Sequence, residues 1–112
     1  MNALRHGLVL EDLPDSRAWL VGALRQAFPA MRVCEAGTKP EARAAVQAQR
    51  PDIALIDLNL PDGFGVSLIS ELHQLSPDIY TVVATIYDDD QHVFPALRAG
   101  AHGYLLKEQS QE

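Results

Sequence analysis

The 112-residue chain has a single cysteine, Cys34, so no internal disulfide can staple it. In Met31-Arg32-Val33-Cys34 that thiol reads as a buried strand residue rather than a reactive one. No apolar run approaches the length needed to span a bilayer. The N-terminus, MNALRHGLVLEDLPDSR, has only a short apolar run before Glu11 and Asp12 and does not look like a secretion signal. The expected location is therefore the cytoplasm, with no membrane contact. Bases are also scarce: nine Lys and Arg against fifteen Asp and Glu leave a net charge of -6, which repels a phosphate backbone and sets aside nucleic-acid binding by this piece itself. His6, His73, His92 and His102 are scattered, none paired at metal-ligand spacing beside a cysteine, so they read as surface or structural residues and not as a zinc site. Repeats, low-complexity tracts and linkers are absent too. A chain this long, 47% apolar and 21% charged, fills one core and is too short for two ordinary domains.

What is present is a rhythm of short apolar runs. Leu8-Val9-Leu10, Arg32-Val33-Cys34, Ile53 to Ile56, Thr81-Val82-Val83-Ala84 and Tyr104-Leu105-Leu106 are each of strand length. The first, third and fourth are continuously apolar, as in strands covered on both faces. Helical patterns lie between them. Leu20, Ala23, Leu24 and Ala27 recur at i, i+3, i+4 and i+7 behind Asp15 as the expected cap, and Leu68, Leu72 and Leu75 repeat the spacing. Thr38-Lys39-Pro40-Glu41 reads as a capping box with proline in the first turn, opening a thin, alanine-rich helix. The fourth helix, Asp88 to Arg98, carries Pro95 inside it and Gly100 as its stop.

The alternation of strand and helix predicts an α/β fold, a flavodoxin-like doubly wound parallel five-stranded sheet of order 2-1-3-4-5. Ligands in such sheets bind beyond the carboxyl ends of the strands, at the switch between strands 1 and 3. Glu11 and Asp12 end strand 1 and Asp57 ends strand 3, so three carboxylates converge. Each close pair costs about 4 kcal/mol at roughly 4 Å and an effective dielectric near 20. A hard divalent cation, magnesium, relieves this, with the backbone carbonyl of Asn59 as a further oxygen ligand. Thr85 closes strand 4 and Lys107 follows strand 5, which adds a hydroxyl and an ammonium to the same edge. Positive charge and donors around one carboxylate suit phosphoryl transfer to Asp57 as nucleophile.

With those residues in place the chain resembles a response-regulator receiver domain, the phospho-accepting module of two-component signalling, over nearly its whole length. Glu11-Asp12 match the acid pair, Asp57 in IDLNLPDG the phospho-acceptor, Thr85 in VVATIYDDD the switch hydroxyl, Tyr104 in GAHGYLLKE the switch aromatic, and Lys107 the lysine of the family. LNLPDG and AGAHGYLLKE look most like receivers that precede a LuxR-type helix-turn-helix domain. The resemblance implies that a sensor histidine kinase phosphorylates Asp57 with Mg2+, and that Lys107 pairs with the phosphate. It further implies that Thr85 moves to the phosphate and Tyr104 rotates inward. It implies a homodimer on activation, and DNA contact only through an effector domain beyond this chain. No turnover of an external substrate is expected.

Departures from the family sharpen the expectations. Ile86 stands where a small residue is usual, which predicts slower phosphorylation by small donors than in Ile86→Ala. Asn59 and Tyr87 occupy the variable positions that tune phosphate lifetime. Only Glu108 to Glu112 follow Lys107, too few for a fifth helix, so residues 1–112 read as a receiver domain cut before that helix, with an apolar patch that invites self-association. Two other readings stay open. One is a pseudo-receiver interaction module without phosphorylation. The other is a haloacid-dehalogenase-like phosphatase, whose nucleophile loop Asp57-Leu58-Asn59 resembles except that Asn59 replaces the second acid.

Overall fold

The computed structural model describes residues 4–60, 63–64, 66–85 and 90–107. Five parallel strands form the sheet: β1 (His6–Leu10), β2 (Arg32–Ala36), β3 (Ile53–Asp57), β4 (Tyr80–Thr85) and β5 (Gly103–Leu106), in the order β2-β1-β3-β4-β5. That is the doubly wound arrangement expected from the alternating runs, and β3, IALID, is buried at all five positions because it lies at the centre with helices on either side. A two-stranded antiparallel ribbon, Asn59–Leu60 against Gly63–Phe64, follows β3 where the sequence suggested only a loop.

Four helices cover the sheet. α2 (Lys39–Ala48), α3 (Val66–Leu75) and α4 (Asp90–Ala99) pack on one face over Leu8, Leu10, Ile56 and Val83. α1 (Pro14–Ala27) seats Leu20, Val21 and Leu24 on the other face, against Val9, Leu55 and Ala84. Alternate residues of each strand feed the two cores, as the period of two requires. Among the described residues α1 is the one helix on its face, and Val82 and Leu105 at the β4–β5 end of that face are partly buried. The expected loss of a fifth helix concerns residues outside those described.

Three local expectations need correction or adjustment. Asp15 does not cap α1: Pro14 takes the first helical position, where its fixed φ suits a helix start, so the cap position falls on Leu13, which makes no side-chain cap bond. The Leu13 N–H instead donates to Glu11 Oε2 at 3.3 Å. Cys34 is exposed rather than buried, because β2 is an edge strand and the small alanines of α2 leave a cavity of about 280 Å³ between Ala45, Val46 and Cys34. At α2, Thr38 Oγ1 accepts from the Glu41 N–H at 3.3 Å as expected, but Glu41 reaches one residue further back, accepting from the Gly37 N–H at 2.7 Å.

The stop of α4 is as read from the sequence. Gly100 sits at φ +122°, outside the range open to side chains, and its N–H donates to the Leu97 carbonyl at 3.1 Å. Pro95 lies inside α4. His102, after this turn, stacks on Tyr80 with ring centroids 5.0 Å apart, and its Nδ1 accepts the Thr81 N–H at 3.1 Å, a structural role for an exposed histidine.

Candidate functional site

Strand register brings the chemistry together. Leu10 of β1 pairs with Ile56 of β3, Asp57 pairs with Ala84 of β4, and Thr85 pairs with Leu106 of β5. The next residue on β1 is Glu11, level with Asp57, while Thr85 lies one residue past Asp57's partner Ala84 and Lys107 two residues past Leu105, so all four stand at the carboxyl edge of neighbouring strands spaced about 4.8 Å apart. The backbone continues these rows: Glu11 N–H donates to the Ala36 carbonyl at 3.0 Å, Leu58 N–H to Ala84 at 3.1 Å and Lys107 N–H to Thr85 at 2.7 Å. The buried apolar run behind each residue thus fixes where its side chain starts.

At this edge one carboxylate oxygen from each of Glu11, Asp12 and Asp57 lies within 4.8 Å of the others. Glu11 is fully buried, Asp57 is 4% exposed and Asp12 is partly exposed. Lys107 Nζ stands between two of them, 2.5 Å from Glu11 Oε1 and 3.0 Å from Asp57 Oδ1. Burial pushes the Glu11 carboxyl above the usual range; the Lys107 hydrogen bond pulls it down, while the Asp57 charge adds to the rise. For Lys107, burial disfavours the ammonium, but the hydrogen bonds and charges of Glu11 and Asp57 outweigh it and hold the group above its ordinary value. One ammonium does not balance three carboxylates. The donor set is oxygen only, which fits a hard divalent cation such as Mg2+ or Ca2+ better than zinc or copper.

Thr85 is 1% exposed at the end of β4, and Tyr104 on β5 is 47% exposed. The backbone of Asn59 opens the ribbon directly after Leu58. Ile86 and Tyr87, expected to tune access to Asp57, lie outside the described residues. The structure also adds a residue that sequence reasoning missed. Arg17 Nη1 donates to the Glu11 carbonyl at 2.7 Å, and its Nε to Glu35 Oε1 at 3.3 Å. A main-chain acceptor leaves no mark in the sequence, and an arginine in the first turns of a helix reads as solvated.

A second missed residue, Lys39, is buried at the start of α2 and donates to Ser67 Oγ of α3 at 2.9 Å, joining two helix starts beside the same edge. No helix among the described residues is long and apolar enough to cross a membrane.

Comparison with known proteins agrees with this geometry. The response regulator receiver domain family matches residues 8–112. The DNA-binding transcriptional activator DevR/DosR of Mycobacterium tuberculosis is 43% identical over 76 residues, 68% of this chain and 35% of that protein. The chain spans about a third of the length of the curated relatives it matches. A response regulator from Burkholderia pseudomallei, crystallised with a phosphorylated aspartic acid, calcium ion and citrate, superposes with a TM-score of 0.82 at 29% identity, over 95% of this chain and 61% of that one. The receiver domain of the putative response regulator NarL from Mycobacterium tuberculosis gives 0.83 at 26% identity, over 97% and 88%. With the sheet order, the acidic edge and this match over almost its full length, the chain belongs to the response regulator receiver domain family of two-component signalling.

Proposed function

We propose that Asp57 accepts a phosphoryl group from the phosphohistidine of a sensor histidine kinase, and that the added charge shifts the domain between two packings to control transcription through an effector domain outside this chain. The observation that carries the reading is Lys107 Nζ held 2.5 Å from Glu11 and 3.0 Å from Asp57 at a strand edge that also presents Asp12. An oxygen of Asp57 attacks phosphorus. The O–P bond forms as the P–N bond of phosphohistidine breaks, and its electron pair returns to the imidazole nitrogen, which takes up a proton. Lys107 offsets the charge on the transferring oxygens. Later attack by water releases inorganic phosphate and restores the Asp57 carboxylate, so no external substrate is turned over.

Glu11, Asp12, Asp57 and the Asn59 backbone carbonyl are the residues that would hold Mg2+. When bound, the ion supplies positive charge to the carboxylates and to the phosphoryl oxygens. Thr85 is the hydroxyl that meets the phosphate, and Tyr104 turns inward in response. Its half-exposed position suits the unphosphorylated packing. The phosphorylated aspartic acid and calcium ion of the Burkholderia protein support the chemistry. The transcriptional role of DevR/DosR supports the output, with residues 1–112 as the phospho-acceptor part of a longer cytoplasmic regulator that dimerises on activation.

The test is labelling from a phosphorylated kinase or acetyl phosphate, with and without Mg2+. The expected result is one phosphoryl group per wild-type chain, released by hydroxylamine, and none on Asp57→Asn. Equal labelling of both proteins would refute Asp57 as acceptor. An unlabelled wild type would point to a pseudo-receiver, and steady phosphomonoester turnover to a phosphatase.

A further inference from the structure

Beside Asp12 lies an open hollow of about 530 Å³ into which Arg17 and Glu35 project. Arg17 belongs to α1, yet its Nη1 donates to the main-chain carbonyl of Glu11 at 2.7 Å and its Nε to Glu35 Oε1 of β2 at 3.3 Å. The Glu11 N–H is meanwhile held by the Ala36 carbonyl at 3.0 Å. Both peptide planes flanking Glu11 Cα are thereby fixed, one by β2 and one by the guanidinium. The second plane is the Glu11–Asp12 peptide, which sets the direction in which Asp12 leaves the backbone. Room for the guanidinium comes from Gly37, where an added Cβ would stand 3.3 Å from Arg17 Nη1.

We infer that Arg17 is a positioning residue for the cation site, holding the Glu11–Asp12 peptide so that Asp12 is aimed at Asp57 before any ligand arrives. The inference rests on the phospho-acceptor reading above and deepens it. Charge and position make opposite demands here. Removing a positive group beside a cation site would by itself tighten cation binding. Releasing the peptide that orients a ligand weakens it, by about ten-fold or more where such supporting contacts are lost. The sign of the change therefore separates the two roles.

The experiment titrates MgCl2 into chelator-treated protein by calorimetry, with urea denaturation of the metal-free proteins alongside. Arg17→Met keeps the aliphatic stem and loses the donors. It is expected to bind Mg2+ about ten-fold more weakly than wild type. Arg17→Lys, which supplies one donor centre instead of two, is expected to fall between them. Arg43→Met is the control: Arg43 pairs with Glu71 at 2.8 and 2.9 Å between α2 and α3, a comparable surface clamp without contact to Glu11. It is expected to keep wild-type affinity with a similar small loss of urea stability. Unchanged or tighter binding by Arg17→Met, or equal weakening in Arg43→Met, would overturn the inference while leaving the phospho-acceptor reading intact. A wild type that binds no Mg2+ would overturn both.

Discussion

Lys107→Met removes the ammonium from the carboxylate edge while retaining an unbranched stem of similar length. Lys107 contacts Glu11 at 2.5 Å and Asp57 at 3.0 Å, and the side chains are 12%, 0% and 6% exposed, so water screens the contacts little. The gross attraction at these separations, about 5–7 kcal/mol per contact at an effective dielectric near 20, is largely offset by the cost of taking three charged groups out of water. The relevant magnitude is the cost of stranding carboxylates without their partner, about 3–5 kcal/mol. That is a large share of the roughly 5–15 kcal/mol that holds a domain folded. The assay is urea denaturation in metal-free buffer of wild type, Lys107→Met, Asp57→Asn and the double variant. If charge is the cause, Lys107→Met costs less in the Asp57→Asn background, where one stranded carboxylate is already neutral. The expected coupling is about 1–3 kcal/mol with an unchanged denaturant slope. A single-variant cost under about 0.5 kcal/mol would refute the reasoning. So would equal costs in both backgrounds, which would assign the effect to packing of the stem.

Asp52 accepts from the Arg5 and His6 N–H groups at 2.8 and 3.0 Å, which hold its carboxyl below the usual range; its folded value thus lies below its unfolded one. Its contribution is present above the unfolded pKa and lost as pH falls through the folded one. Asp52→Ala is therefore expected to cost about 1 kcal/mol at pH 7 after discounting for solvent, with the difference from wild type shrinking as pH falls below the ordinary aspartate range in denaturation curves taken across pH. Leu20, fully buried, anchors α1 to its face of the sheet, so Leu20→Ala is expected to lose about 3–5 kcal/mol; a loss under 1 would mean α1 contributes little to that core. Gly100→Ala places a Cβ 2.7 Å from the His73 ring at φ +122°, and calorimetry should show a melting point lower by at least about 5 °C. An unchanged midpoint would mean the turn relaxes freely.

How far the sequence spoke for the structure depends on where each signal lives. Continuously apolar runs such as IALI mark central strands, and a parallel order places their carboxyl ends side by side, so Glu11, Asp12, Asp57, Thr85 and Lys107 were legible together at one edge. The same logic misplaced Cys34: an apolar residue in a strand reads as buried, but β2 has a neighbour on one side only and α2 covers it with alanine. Asp15 is a strong capping residue outcompeted by Pro14, whose ring fixes the helix start one position earlier. The ribbon at Asn59–Leu60 is two residues per strand, too short for any periodicity to register. Arg17 was invisible because its key partner is a main-chain oxygen brought near by the β1–α1 turn.

The pairing of Glu11 with Lys107 spans 96 residues. Made by a ribosome at about 5–20 residues per second, the chain carries Glu11 for roughly 5–20 s before its ammonium partner exists. No partly synthesised chain that lacks β5 can complete this constellation. The ion pairs of this edge therefore form only once β5 has been made, which ties chemical competence to synthesis of the whole five-stranded sheet.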